Sequence, residues 1–367
     1  MSSKIPAKKL RVGILGATGM VGQRFVTLLA DHPWFAITAL AASPRSAGKL
    51  YHEAVAGHWS MAVPVPSNLA QLRVKDVQAD LTAICDEVDL VFCALDLDKP
   101  TIQQIEIDYA AAGIAVISNN SAHRWTPDVP MLMPEVNPGH AELINIQRKN
   151  RGWSTGLIAV KPNCSIQSYV SILTALSAFN PTAVAVTSLQ AISGAGKTFA
   201  TWPEMVDNVI PLIKGEEDKS EREPLKIWGQ LAEGTIQLAI TPRIAATCIR
   251  VPVTDGHLAN VSVRFEQKPT REAILEAINN FSNPIANLNL PSAPKKFITY
   301  LTEDDRPQTR LDRDAGHGMG ITMGRLREDP HFHWQFIALS HNTLRGAAGG
   351  AVLMAEFLVA KGYIKAK

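Results

Sequence analysis

The residues best placed to do chemistry lie in Val160-Lys161-Pro162-Asn163-Cys164-Ser165-Ile166-Gln167, near the middle of the chain. GWSTGLIAV before this stretch predicts a short buried strand. After it, Ile166, Tyr169, Val170, Leu173, Leu176 and Phe179 recur at helical spacing. Pro162 ends the strand, and the side-chain oxygen of Asn163 is suited to capping the new helix. Cys164 is therefore expected on a strand-to-helix turn, at or just inside a helix N-terminus. A free thiol with a pKa of about 8.5 is only a few per cent thiolate near neutral pH. The positive end of a helix stabilises the thiolate, with Lys161 adding to the effect, so the expected shift is downward. The same helix N–H groups suit an oxyanion forming on an acyl group attacked by sulfur. The competing reading makes Cys164 a small buried hydrophobe. Its place on a polar turn beside Asn163 and Ser165 weighs toward a nucleophile.

A nucleophile needs elements to position it and a cofactor or co-substrate to act with. LRVGIL at residues 10–15 predicts a strand that runs into GATGMVG, with glycines at 13, 16, 19 and 22. This spacing is a relative of the dinucleotide-binding fingerprint rather than its strict form. The helix that follows carries Val21, Phe25, Leu28 and Leu29 on one face. Small residues at Gly16, Gly19 and Gly22, with Thr18, Met20 and Val21 between and beside them, let the backbone approach a pyrophosphate at the helix start. The next strand, AITALAAS, ends in Ser43-Pro44-Arg45-Ser46. An NAD enzyme would place an acid there for the ribose 2′-hydroxyl. An arginine and two hydroxyls suit a 2′-phosphate instead, so the cofactor expected is NADP.

The remaining elements of the first half alternate as a doubly wound sheet requires: VDLVFCAL as a strand, a helix over 101–112, and IAVIS as another strand. Cys85 and Cys93 lie in apolar surroundings and read as packing. SNNSAHRWTPDVPMLMPEVNP is a loop by composition and carries Arg124, a candidate anion ligand. From Asn180 onward, AVAVTSLQAIS, ATCIRVPV and LANVSVRFE predict a mixed or antiparallel sheet in a second domain. The charged run GEEDKSERE reads as a solvated face. Glu223 and Lys226 are three apart, so on a helix they project from one side. The small-residue turn in HNTLRGAAGGAVLMAEFLVAKGY leads into an apolar helix able to pack back on the first domain.

At 367 residues, 46% hydrophobic and 19% charged, the chain has room for two domains with substantial cores. A net charge of +2 gives no reason to expect nucleic acid or an anionic membrane as a partner. The four cysteines are widely spaced without a C-x-x-C pair, so neither a metal site nor a disulfide framework is expected, and a reducing, cytoplasmic setting fits. The opening MSSKIPAKKL lacks the apolar core of a secretory signal, and no apolar run approaches the ~18 residues of a membrane span.

GATGMVG, AASPRSAGK, SNNSAHRW, PNCS, QAISGAG, RVPVTDGH and SHNTLRGAAGG occur in the order found in aspartate-β-semialdehyde dehydrogenases, and the chain resembles the archaeal and fungal branch of that family over essentially its full length. The resemblance implies an α/β fold: an N-terminal Rossmann-like doubly wound parallel sheet over 1–160, completed by 342–367, and an α+β catalytic and dimerisation domain with a mixed sheet over 161–341. It implies Cys164 as the acyl-accepting nucleophile, His257 as acid–base catalyst and Gln190 as the residue orienting substrate or thioester. Arg250 would bind the substrate carboxylate and Glu223 its amino group, with Arg124 and Lys226 on the phosphoryl group and Asn163 beside them. Ser193, Gly194 and Asn342 would join Ser43, Arg45, Ser46 and the glycine turn in holding NADP. A homodimer or homotetramer built through the second domain is implied as well. Taken without the resemblance, His257 is a turn histidine and Gln190 is unremarkable. Two departures lie near the site: Lys197-Thr198-Phe199 where the branch often has Tyr-Pro-Gly, and Ile166 where it often has Thr.

The implied reaction is the NADP-dependent conversion of β-aspartyl phosphate to aspartate β-semialdehyde through a Cys164 thioester. A malonyl-CoA reductase or an N-acetyl-γ-glutamyl-phosphate reductase of the same architecture is the nearest alternative. A non-catalytic NADP-binding redox sensor, with Cys164 as its thiol, is an alternative of another class.

Overall fold

The computed structural model describes residue 6 and residues 8–367. Six strands form an all-parallel sheet: β1 (Leu10–Leu15), β2 (Phe35–Ala42), β3 (Lys75–Asp76), β4 (Leu90–Cys93), β5 (Ala115–Ser118) and β6 (Leu157–Val160). Their order is β3-β2-β1-β4-β5-β6, the doubly wound arrangement that binds dinucleotides where the strand order reverses. Alternate residues feed opposite faces, as the pleat demands. Leu90 and Phe92, Ala115 and Ile117, and Leu157 and Ala159 enter one core, while Val91, Val116 and Ile158 enter the other. Both faces are thus covered, which explains why these strands read as continuous apolar runs.

The first core is closed by α1 (Met20–Leu29) and by the C-terminal helix, which packs back on the first sheet as expected. The buried face of α1 is Gly22, Gln23, Phe25, Val26 and Leu29, with Val21 and Leu28 only half-buried against it. The expected apolar stripe is therefore rotated slightly. The second core continues without a break from the first sheet, through α3 (Gln167–Ala175), into the other half of the molecule. Helix α2 (Lys99–Ala111), capped by the Asp98 carboxylate accepting from Thr101 N–H at 3.0 Å, packs against β5 and β6.

The second sheet is mixed. It contains β7 (Pro181–Gln190), β10 (Arg243–Arg250), β11 (His257–Phe265), β12 (Ile298–Tyr300), β13 (Ile321–Glu328) and β14 (Trp334–Ser340), in the order β10-β7-β11-β14-β13-β12. A small hairpin of β8 (Gln230–Ala232) and β9 (Thr235–Gln237) stands apart. Strand β10 runs parallel to β7 with Arg250 opposite Gln190; β11 runs antiparallel to both β7 and β14, with His257 opposite Ser340. The C-terminal ends of β7, β10 and β14 and the start of β11 therefore share one rim. Gln190, Arg250, His257 and the 341–342 pair all meet there.

The charged run is not a solvated face. It forms α4 (Glu216–Ile227), lying on β10, and buries Glu216, Ser220, Glu223 and Lys226 along one side. A stripe of polar residues at helical spacing hides a functional face as effectively as an apolar stripe hides a core. Among the described residues no helix is long and apolar enough to cross a membrane.

Candidate active site

Cys164 sits on the turn joining β6 to α3, but the helix begins later than the sequence suggests: its first residue is Gln167 and its N-cap is Ile166. Asn163 caps the turn rather than the helix. Its Oδ1 accepts from Ser165 N–H at 2.8 Å and from the Ser165 hydroxyl at 2.7 Å. The sulfur therefore lies before the positive end of the helix, and burial pushes the thiol pKa up to about 11, with nearby Glu216 acting in the same direction. Arg124, Arg250 and Lys161 oppose this without reversing it. The expectation of a lowered thiol pKa is corrected: Cys164 rests as a thiol. Lys161 is a weak help because burial, and then Arg345, drive its own pKa well below the usual ammonium range.

The sulfur is 3.5 Å from Nε2 of His257. On the far side of the ring, Nδ1 accepts the N–H of Ala191 at 3.1 Å. An amide can only donate there, so the neutral ring carries its proton on Nε2, facing Cys164. Burial, then the positive charge of Arg250, lowers the His257 pKa to about 3. The imidazole is neutral at physiological pH and presents a donor to the sulfur. Arg250 holds the Ala191 carbonyl through Nη1 at 2.6 Å, so the main chain of one residue, Ala191, holds both the imidazole and the guanidinium. Gly194 is pressed against both: a Cβ there would stand 2.9 Å from Arg250 Nη1 and 3.1 Å from His257 Nε2. Gln190 is buried beside them, its Nε2 donating to Ser188 Oγ at 3.1 Å.

The anion-binding candidates converge from the other side. Arg124 donates through Nε to Lys161 O at 3.0 Å and through Nη1 to Glu223 Oε1 at 2.8 Å. The second Glu223 oxygen accepts Asn163 N–H at 2.7 Å. Lys226 is brought to the same loop, yet its ammonium is held by the carbonyls of Arg124 at 2.6 Å and Val129 at 3.3 Å, and burial lowers its pKa to about 8.

Several residues of this site are given no role by the sequence reasoning, although Arg345 and Gly346 lie within the SHNTLRGAAGG stretch. Glu216 accepts both Asn163 Nδ2, at 3.0 and 3.1 Å, and Lys219 Nζ at 2.6 Å, which locks the residue before the nucleophile. The buried Arg345–Glu135 pair, bidentate at 2.6 and 2.8 Å, lies next to Lys161. Gly346 touches Cys164 itself, since a Cβ there would stand 2.6 Å from Cys164 Cβ. Of the two departures from the family pattern, Ile166 is fully buried in the core, whereas Lys197 is exposed and Thr198 and Phe199 are half-buried.

The glycine turn fits a dinucleotide. Gly22 has no room for a side chain, because a Cβ would stand 2.1 Å from Gly16 O, and Gly16 has φ +87°. No side chain caps α1 at Gly19, which leaves the helix start open to an anion. Thr18 and Ala17 carbonyls are held by Gln23 Nε2 and the Tyr51 hydroxyl, both at 2.9 Å. Gly13, by contrast, belongs to β1 and packs on Val91. Ser43, Arg45 and Ser46 follow β2, with Arg45 exposed. Across the cleft, Asn342 Nδ2 donates to Ser193 Oγ at 2.8 Å and its Oδ1 accepts Gly256 N–H at 2.8 Å.

Known proteins with this arrangement share more than the fold. Residues 11–144 match the family described as "Semialdehyde dehydrogenase, NAD binding domain", and residues 173–345 match "Semialdehyde dehydrogenase, dimerisation domain". The chain is 45% identical to the aspartate-semialdehyde dehydrogenase of Archaeoglobus fulgidus, covering 95% of this chain and 97% of that one. It is 44% identical to the Aspergillus fumigatus enzyme over 97% and 99% of the two chains. The chain belongs to the aspartate-semialdehyde dehydrogenase family. The Candida albicans enzyme of this family, solved with NADP, superposes with a TM-score of 0.86 at 39% identity, covering 97% of this chain and all of that one. The family's Vibrio cholerae enzyme II, solved in complex with ASA, gives 0.72 at 25% identity over 96% and 99%.

Proposed function

We propose that Cys164, His257 and Gln190 carry out the reductive dephosphorylation of β-aspartyl phosphate to aspartate β-semialdehyde, reversibly and with NADP as cofactor, on the route to lysine, threonine, methionine and isoleucine. The observation that carries this reading is the 3.5 Å approach of Cys164 Sγ to a buried, neutral His257 beside two arginines.

The sulfur attacks the acyl carbon, a C–S bond forms and the bond to the phosphate oxygen breaks. His257 already holds a proton on Nε2, so the thiol proton leaves with the departing group as hydrogen phosphate. Bound NADPH supplies the hydride that reduces the resulting thioester carbon. As the carbonyl re-forms from the tetrahedral oxyanion, the C–S bond breaks and the aldehyde leaves. His257 Nε2–H faces the expelled sulfur and stabilises its negative charge until a proton from solvent restores the thiol. Toward Cys164 the histidine is thus a donor rather than a base.

Arg250 takes the α-carboxylate, Glu223 the ammonium and Arg124 the phosphoryl group. Lys226 adds positive charge and fixes the main chain of Arg124. Asn163 and Gln190 orient the acyl group. The glycine turn, Ser43, Arg45 and Ser46 hold the adenosine half of the cofactor, and Ser193, Gly194 and Asn342 border its nicotinamide. Residues 1–160 with 342–367 form the cofactor domain and 161–341 the catalytic one, which also builds a homodimer or homotetramer. The setting is the cytoplasm.

Phosphate-dependent formation of NADPH from aspartate semialdehyde is the deciding assay. Cys164→Ser should abolish turnover while retaining NADP binding. Succinate semialdehyde, which lacks the amine, should be poorer by orders of magnitude, because a polar site left unpaired discriminates strongly. Equal activity on both aldehydes would remove Glu223 from amine recognition.

A further inference from the structure

A short path leads from the glycine turn to Cys164 along the carboxyl ends of β1, β4, β5 and β6. Gly16 lies against the chain just after β4, where a Cβ would stand 2.4 Å from Ala94 O. Asn119, the residue after β5, donates its N–H to Cys93 O at the end of β4 at 2.9 Å. Arg124 Nη2 reaches the Asn119 carbonyl at 3.5 Å. The next N–H, of Asn120, is accepted by Ser118 Oγ at 3.1 Å, and that hydroxyl donates to the buried Glu106 at 2.5 Å. The Asn119 main chain is fixed on both sides. Its carboxamide is not: Nδ2 and Oδ1 are both shielded from solvent, and neither has a hydrogen-bond partner among the described residues. Buried amides are almost always paired, so a carboxamide on a fixed main chain with no partner among the described residues is suited to a bound ligand.

The strand order tells which ligand. Adjacent strands lie about 4.8 Å apart, so the end of β5 is roughly 10 Å from that of β1 and one strand from β6, which leads to Cys164. A dinucleotide with its pyrophosphate at the start of α1 and its reactive ring beside Cys164 crosses the end of β5 with the ribose that joins them. A ribose hydroxyl both donates and accepts, as Oδ1 and Nδ2 together require. A phosphoryl oxygen would satisfy only Nδ2, and an ammonium only Oδ1. We propose that Asn119 is a cofactor-binding residue that takes the hydroxyls of the nicotinamide-side ribose. This rests on the NADP reading of the glycine turn and Arg45.

Equilibrium binding of NADPH, followed by its fluorescence, is compared with binding of adenosine 2′,5′-bisphosphate, which carries only the adenosine half. Wild-type binding of the bisphosphate checks the NADP reading on its own. Asn119→Ala should raise the NADPH Kd about tenfold, the loss of roughly one or two hydrogen bonds. The bisphosphate Kd and the melting temperature should stay as in wild type. Asn119→Asp keeps acceptors for hydroxyl donors and should retain NADPH affinity within about threefold. Unchanged NADPH affinity in Asn119→Ala would overturn the proposal. So would a loss confined to phosphate and aspartate semialdehyde, or an equal loss of NADPH and the bisphosphate, which would place the effect on the domain rather than the ribose.

Discussion

Arg124 and Glu223 form a buried ion pair, 2.8 Å from Nη1 to Oε1, joining the loop after β5 to α4. The residues assigned to the phosphoryl group and to the ammonium of one substrate therefore neutralise each other in the resting protein. A substrate carrying both charges, with the right separation, can replace one internal pair by two external ones. A ligand carrying only one would strand the other residue's charge in a buried site.

Breaking this pair should cost stability as well as activity. Removing one partner of a buried pair typically costs about 3–5 kcal/mol, because the remaining charge is left uncompensated. Arg124→Ala and Glu223→Ala should each lower the melting temperature markedly, and the double variant should lose less than the sum. Arg124→Lys keeps the charge but loses the planar fork that spans Lys161 O and Glu223. Its half-saturating phosphate in the reverse reaction should rise about tenfold or more. Wild-type phosphate saturation in Arg124→Lys and Arg124→Ala would remove this residue from the anion site.

Alkylation of Cys164 reports its protonation directly. With the thiol pKa pushed up to about 11 by burial and Glu216, the thiolate fraction still grows about tenfold per pH unit between pH 7 and 10. Iodoacetamide labelling of the free enzyme should follow that slope. It should nonetheless favour Cys164 over Cys85, Cys93 and Cys248, which are all buried. A plateau below pH 8 would restore the helix-dipole account of this thiol.

The same lowered expectation for titration applies to His257. A pKa near 3 keeps the ring neutral throughout the working range, so no ionisation of this histidine should appear in kcat/KM between pH 5 and 8. Nitrogen-15 spectra of the labelled ring should show the proton on Nε2, and the signals should vanish in His257→Asn. That variant should lose about 10²–10⁴ in kcat. A histidine titrating near 6.5 and assigned to position 257 would contradict both the burial and the Ala191 contact.

The architecture was legible where the signal is periodic. Buried parallel strands, the glycine turn and the C-terminal helix each follow from local pattern, and Arg45 in place of an acid followed from register alone. The site was legible only in its residue types. Cys164 precedes the helix instead of opening it, because the periodicity of Ile166 and Tyr169 does not reveal that the backbone first spends residues 163–166 on a side-chain-capped turn. Glu216 was hidden because a polar helix face that buries itself looks, in sequence, like a solvated one. Ala191 acts through its main chain and so leaves no mark on residue identity.

The proposed role of Arg45 in cofactor choice can be tested at the turn after β2. Arg45 is exposed in the turn that follows β2, the strand next to β1, on the side where the 2′ position of a bound adenosine ribose lies in this fold. Arg45→Ala should raise KM for NADP about tenfold or more while leaving KM for NAD nearly unchanged. An unaltered preference would put the phosphate elsewhere.

Gly346 offers a test of how tightly the nucleophile is held. The glycine precedes the C-terminal helix, and a Cβ there would stand 2.6 Å from Cys164 Cβ and 2.3 Å from Asn342 O. Neither contact is with the end of a flexible side chain, so the main chain must move. Overpacking of this kind costs about 1–3 kcal/mol. The catalytic cost should be larger, because a displacement of about 1 Å can lower turnover 10²-fold. Gly346→Ala should therefore remain folded, with a modestly lower melting temperature, yet lose about 10²-fold in kcat and label slowly with iodoacetamide. Gly139→Ala is the matched control: nothing among the described residues lies within 4 Å of its Cβ position, and it should be close to wild type in both respects. Equal kcat in the two variants would show that the Cys164 turn yields to its neighbour, and that the 3.5 Å approach to His257 is not held by packing against the C-terminal segment.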